Sequence, residues 1–222
     1  MAVVPDTTSH ATAVVNAGTT LTWAHTCGAS ANKLIILPAV GIDGVLQYSS
    51  VTYNTVPATQ LISQGNGTFC TQEIWSLDNP DTGSAFNIVA TVTGSPGTTK
   101  RAAAAISFSG VTSEGTAVGN SGVTANPSVT VTDSANGDYV VSSLLSDIGS
   151  LGSTTEAGTI IFEDEDFVDG DLDYNSQYQV ATGANAVASW TSGADGWAAA
   201  AVAIKGASAD VLAQSLMPQI CL

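Results

Sequence analysis

Arg101-Ala-Ala-Ala-Ala-Ile-Ser-Phe-Ser-Gly110 and Gly196-Trp-Ala-Ala-Ala-Ala-Val-Ala-Ile-Lys205 are the stretches whose reading decides the fold. Alanine is the strongest helix former, so either run could be taken for the start of a helix. The flanks argue otherwise. Ala102, Ala104, Ile106 and Phe108 share one face at a period of two, and Val202-Ala-Ile204 keeps the same spacing. Both runs therefore read as strands in which small side chains let stacked sheets approach closely.

The same two-residue rhythm recurs along the chain. Leu21 to Thr26 alternates, and Leu34-Ile-Ile-Leu-Pro38 is a continuous apolar run, as expected of a strand covered on both faces. Ser50–Asn54 and Ala58–Ile62 are joined by a short turn at Thr55-Val56-Pro57, and Thr71–Leu77 runs into the breaker Asp78-Asn79-Pro80-Asp81. In Ala85–Thr93, the residues Phe86, Ile88, Ala90 and Val92 share a face. Further candidates are Ser128–Thr132, Tyr139–Leu145, Gly158–Phe162, Leu172–Val180 and Ala186–Thr191. About a dozen short strands are too many for one twisted open sheet. The fold class read here is all-β, an antiparallel two-sheet sandwich resembling a jelly roll, with a short apolar C-terminal tail. Its divisions are an N-terminal extended segment (1–20), the sandwich (21–206) and a docking tail (207–222). In the tail, Ser208 is a candidate helix cap, and Val211, Leu212, Leu216, Met217, Ile220 and Leu222 make the segment apolar.

Charge narrows the functional classes. The chain carries 19 acidic residues against four basic ones (Lys33, Lys100, Arg101 and Lys205), a formal net charge of −15. Nucleic-acid affinity comes mostly from Lys and Arg releasing counterions, and four scattered cations make no basic stripe. An anionic membrane surface is disfavoured for the same reason. No stretch reaches the ~18–20 apolar residues of a membrane helix. The opening Met1-Ala-Val-Val-Pro-Asp6 has neither a basic nor an apolar signal region, so no secretory leader is read there. Cys27, Cys70 and Cys221 have no metal-ligand spacing, and their odd number argues against a closed disulfide framework. Cys27 and Cys70 read as reduced core or loop thiols, with a Cys27–Cys70 bridge as the minor alternative.

Four segments taken in order carry a resemblance: Val51-Thr-Tyr-Asn54 with Ala58-Thr-Gln-Leu61, Glu73-Ile-Trp-Ser-Leu77 with Asn79-Pro80, Ala104-Ala-Ile-Ser-Phe-Ser-Gly-Val111, and Gly196 to Lys205. Over residues 34–206 they resemble a jelly-roll β-sandwich pattern that recurs in bacteriophage virion proteins and in bacterial surface or secreted proteins. The chain has Thr55 where that pattern carries Gly after Tyr-Asn. The resemblance implies a sandwich fold and brings no catalytic residues with it.

Three features bear on a site. Glu163-Asp-Glu-Asp-Phe-Val-Asp-Gly-Asp-Leu-Asp173 packs seven acids into eleven residues. Asp164, Asp166, Asp169 and Asp171 could supply oxygen ligands to calcium, although the spacing is not that of an EF-hand. A solvated acidic loop is the plainer reading. Trp190, just before a turn, is the best candidate for an exposed sugar-stacking ring, whereas Trp75 and Trp197 read as core. His10 and His25 lie in no nucleophile motif. These readings add up to a non-enzymatic virion structural protein without a required cofactor. It would decorate a phage capsid or form its surface, bound to capsid or tail subunits and to copies of itself. The alternative is a secreted or surface-displayed carbohydrate-binding module, with calcium as its conditional ligand.

Overall fold

The computed structural model describes residues 2–15, 19–41, 46–67, 69–93, 99–146, 158–164, 172–194 and 196–207. The acidic positions 165–171 and the apolar segment 208–222 lie outside the described residues. The first half of the chain forms β1 (Val4–Val15), β2 (Thr20–Thr26), β3 (Lys33–Gly41), β4 (Tyr48–Tyr53), β5 (Val56–Pro57), β6 (Thr59–Gly65), β7 (Cys70–Asp78), β8 (Ala85–Val92) and β9 (Thr99–Ser109). The second half forms β10 (Ser113–Glu114), β11 (Val118–Gly122), β12 (Ser128–Val131), β13 (Tyr139–Ser146), β14 (Thr159–Asp164), β15 (Asp173–Val180), β16 (Ala186–Ser189) and β17 (Trp197–Lys205). The chain is an all-β antiparallel sandwich.

Its two main sheets are built on one plan. The first runs β1-β9-β3-β7-β6 and the second β10-β17-β13-β15-β14, with β11 also on β17. In each, the third of three long strands (β9 or β17) returns beside the first (β3 or β13). A smaller sheet backs each one: β2-β8-β4-β5 in the first half and β12-β16 in the second. Three apolar cores separate the four layers. The central core joins the main sheets through Ile35, Leu37, Ile74, Ile106 and Phe108 from one side and Val141, Leu145, Tyr174, Val202 and Ile204 from the other. The second lies under β2, β4 and β8, the third under β12 and β16.

The expected pair of stacked sheets is the middle of this arrangement, and the outer layers explain the alanine runs. On β9, Ala102 and Ala104 point into the central core, while Ala103 and Ala105 point into the core behind it. On β17, Ala198 and Ala200 face the central core and Ala199, Ala201 and Ala203 the third. Strands buried on both faces lose the apolar/polar alternation and read as continuous apolar runs.

Pro38 sits inside β3, so the apolar run of residues 34–38 does not end there but continues to Gly41. Proline has no N–H to give to a ladder and is rare in a central strand. The neighbouring carbonyls find side-chain donors instead. Tyr174 Oη donates to Leu37 O at 2.7 Å, Gln72 Nε2 to Pro38 O at 3.2 Å and Tyr48 Oη to Ala39 O at 2.9 Å.

Two boundaries differ from the sequence reading. Val4–Val15 is no separate extension: it pairs with β9 from Val4↔Ser109 to Val15↔Thr99 and forms the edge of the first main sheet. Its exposed and half-buried positions alternate with few large apolar residues, so the strand signal is weak. The hairpin turn falls at Asn54-Thr55 rather than at Thr55-Val56-Pro57, and Val56–Pro57 pairs back on β4. Asn54 and Thr55 have φ of 45° and 68°, both in the left-handed region, which suits a two-residue hairpin but crowds a β-branched side chain.

Thr55→Gly should therefore stabilise the protein by about 1 kcal/mol, a rise in Tm of roughly 2–4 °C at this size. A lower Tm would contradict the assigned turn. Tyr174→Phe keeps the packing but strips Leu37 O of its donor, and urea unfolding should show a loss of about 1–3 kcal/mol.

Candidate functional site

Three of the four cations are buried and the fourth, Lys205, is half-buried. Lys33 is 3% exposed and forms ion pairs with Asp78 and Glu114. Arg101 is fully buried, its Nε donating to Thr99 Oγ1 at 3.1 Å, and Lys100 beside it is also buried. Lys205 pairs with Asp133 at 3.1 Å. Asp6, Asp78 and Asp81 stay exposed. The outside of the sandwich is thus anionic.

Trp190 is not a surface platform. It is 2% exposed within the third core, and its Nε1 donates to Asn175 Oδ1 at 2.9 Å. The turn after it is exposed, but the ring points inward to meet a buried acceptor on β15. The outward side chains of β15 continue this clamp: Gln177 Nε2 donates to Ser189 O at 3.5 Å and Gln179 Nε2 to Val187 O at 2.8 Å. Trp75 and Trp197 are buried as expected. Trp75 has its own acceptor, donating from Nε1 to Glu73 Oε2 at 2.7 Å. Buried Glu73 also accepts from Tyr48 N at 3.0 Å, Gln60 Nε2 at 3.0 Å and Ser63 Oγ at 3.2 Å. Burial pushes its carboxyl above the usual range, and these donors oppose the shift.

Ser9, His25 and Asp6 come together where β1 meets β2. Ser9 Oγ lies 2.9 Å from His25 Nδ1 and accepts from Trp23 Nε1 at 3.1 Å. A nucleophilic triad needs a carboxylate on the second ring nitrogen. His25 Nε2 has no such partner among the described residues. Asp6 turns away, accepting from Gly28 N at 2.5 Å and Ser107 Oγ at 3.0 Å. The ring is 1% exposed. Burial lowers its pKa from 6.5 to about 4, partly offset by the charge of Asp6. The imidazole is a neutral packing element.

Of the four candidate calcium ligands, Asp164 is half-buried at the end of β14, opposite Tyr174, and Asp166, Asp169 and Asp171 lie outside the described residues. Among the described residues no three His, Cys, Asp or Glu side chains gather as a metal site would require. Cys27 and Cys70 are buried in different cores, on opposite sides of the first main sheet, and are not bridged to each other.

An open groove of about 540 Å³ lies at one end of the space between the main sheets, lined by Pro5, Tyr139, Gly158, Thr159, Tyr178, Gln179 and Val180. None of these residues is charged. Tyr139 and Tyr178 have ring centroids 6.0 Å apart, and Phe108, 5.9 Å from Tyr139, continues the aromatic surface into the core. Val180 is 54% exposed. Sequence reasoning missed this site because both tyrosines look like ordinary strand residues; in the fold they are half-buried at the margin of the central core.

No protein-family model matches the chain, and neither a curated protein nor a solved structure resembles it significantly.

Because folding favours the neutral His25 ring, its contribution to stability is complete above pH 6.5 and is lost as pH falls towards about 4. The full loss is roughly 3 kcal/mol. Urea unfolding of wild type and His25→Gln between pH 4 and 7 should give a difference that changes across this window. A constant difference would show that the ring titrates normally.

Proposed function

We propose that this chain is a non-enzymatic structural protein of a virus particle, a decoration or surface protein bound to neighbouring capsid or tail subunits and to copies of itself. The observation that carries this reading is the placement of charge. A layered all-β body takes in or pairs all four of its cations and turns carboxylates outward. Such a surface keeps a high-copy protein soluble and repels stray polyanions. Attachment then falls to apolar surface, which the sequence concentrates in Val211, Leu212, Leu216, Met217, Ile220 and Leu222. The resemblance to virion sandwiches points the same way.

A second reading, a carbohydrate-binding module displayed on a cell surface or secreted, has the Tyr139–Tyr178 groove in its favour, since tyrosine rings offer apolar faces with polar tips. It no longer has Trp190.

Removing residues 208–222 should leave a sandwich that still unfolds cooperatively and abolish incorporation into particles, measured by mass spectrometry of purified virions. Normal occupancy by the truncated chain would remove the attachment role of this segment. A glycan array bound by the full chain and lost on Tyr178→Ala would favour the second reading.

A further inference from the structure

The groove between the main sheets belongs, by its pattern, to the interior. Val180 pairs with Tyr139, and Tyr178 pairs with Val141, a central-core residue. Alternate residues of a strand share a face, so Tyr139, Tyr178 and Val180 all continue the core face of the second sheet. Pro5 of β1 forms the opposite wall. Nothing else among the described residues covers this end, and Val180 stays more than half exposed. This is core surface without a cover.

We propose that the cover is the chain's own segment 208–222, seated in the groove of the same molecule. Position argues for it first. Ile204 of β17 is the cross-strand partner of Tyr139, so the chain leaves the sheet one strand from the groove and at its open end. Reach is ample: 15 residues span at most ~50 Å extended and about 22 Å as a helix. Composition agrees. The segment holds six large apolar residues, a single acid (Asp210) and no cation, and the groove is uncharged. Asp147–Ala157, which leads into the groove residue Gly158, has only Ile148 and Leu151 as large apolar residues and carries Asp147 and Glu156; it suits the groove less well. Tethering settles cis against trans. A short connection gives a local concentration on the order of millimolar, so the segment outcompetes that of a second copy in dilute solution.

This inference goes beyond the proposed attachment role. It says where the adhesive segment rests before it meets a particle, and it depends on that role only for what later draws the segment out.

Cys221 lies in the segment, while Cys27 and Cys70 are buried, so a nitroxide can be placed on Cys221 alone in the folded full-length chain. In the ¹⁵N-labelled protein, the amide signals of Tyr139, Thr159, Tyr178 and Val180 should be lost to paramagnetic broadening, while those of β2 and β8 persist. Spin-labelled unlabelled-nitrogen chains mixed with ¹⁵N chains free of nitroxide should give no such loss. The Val180→Asp chain, still folded by its β2 and β8 signals, should recover the groove signals. Groove signals that persist in the labelled chain, or that vanish in the mixture, would overturn the proposal, the second case pointing to exchange between copies. Equal shifts of the groove amides in full-length and 208–222-deleted chains on adding maltohexaose, cellohexaose or chitohexaose would also overturn it, by showing the groove open to a sugar. Failure of particle incorporation is read separately, so the two ideas can fall independently.

Discussion

Burial of both faces of two stacked sheets is the constraint on which the rest of this structure depends. A sheet with one wet face can place polar side chains there; β3, β9, β13 and β17 cannot, because a core lies on either side of each. Every side chain on them must be apolar, small or partnered, and every backbone group must be paired within the sheet. Alanine at eight positions in two runs meets the first demand and keeps the layers close. Long antiparallel ladders meet the second. Where Pro38 breaks the ladder, two tyrosine hydroxyls and a glutamine amide converge on the carbonyls around it. A buried proline inside a central strand persists because its surroundings complete the hydrogen bonding.

The outer sheets are attached by polar anchors as well as by packing. With Ala102 aligned on Ala198, their strand partners Ala39 and Leu145 correspond, and so do Gln72 and Tyr174 across the next pair. Glu73 and Asn175 then fall at the same place in the two sheets. Each is buried, and each accepts an indole N–H, from Trp75 and Trp190 respectively. Two halves with little obvious sequence likeness place an acceptor at one position and satisfy it with tryptophan. Trp75 shares a strand with Glu73, so there the outer sheet is tied by Tyr48 N on β4, whereas Trp190, just after β16, itself ties Asn175 to the smaller sheet. Buried polar groups of this kind are costly if left unpaired, so these cross-layer bonds favour one register.

The same economy of polar groups shapes the exterior. Lys33, itself buried, pairs with exposed Asp78 and half-buried Glu114, half-buried Lys205 pairs with Asp133, and Arg101 lies in the core beside Thr99. Among the described residues Asp6, Asp78 and Asp81 are exposed while no cation is, and an uncharged aromatic groove opens at one end of the sandwich. In the function proposed above, recognition would rest on apolar contact and shape rather than on attraction of anions.

The sequence by itself determined the fold class, because a period of two and turn residues every eight to twelve positions leave no other way to bury so much apolar surface. It also determined the sign of the net charge, since charge count is read directly from composition, whereas the separation of Cys27 and Cys70 into different cores was settled by the fold. The sequence hinted at double burial in the run from Leu34. Layer number, the partners of Glu73 and Asn175, the inward turn of Trp190 and the groove at Tyr139 and Tyr178 were decided only by tertiary structure. Each depends on which strands meet across a core, and residues more than a hundred positions apart, such as Leu37 and Tyr174, carry no local mark of their meeting.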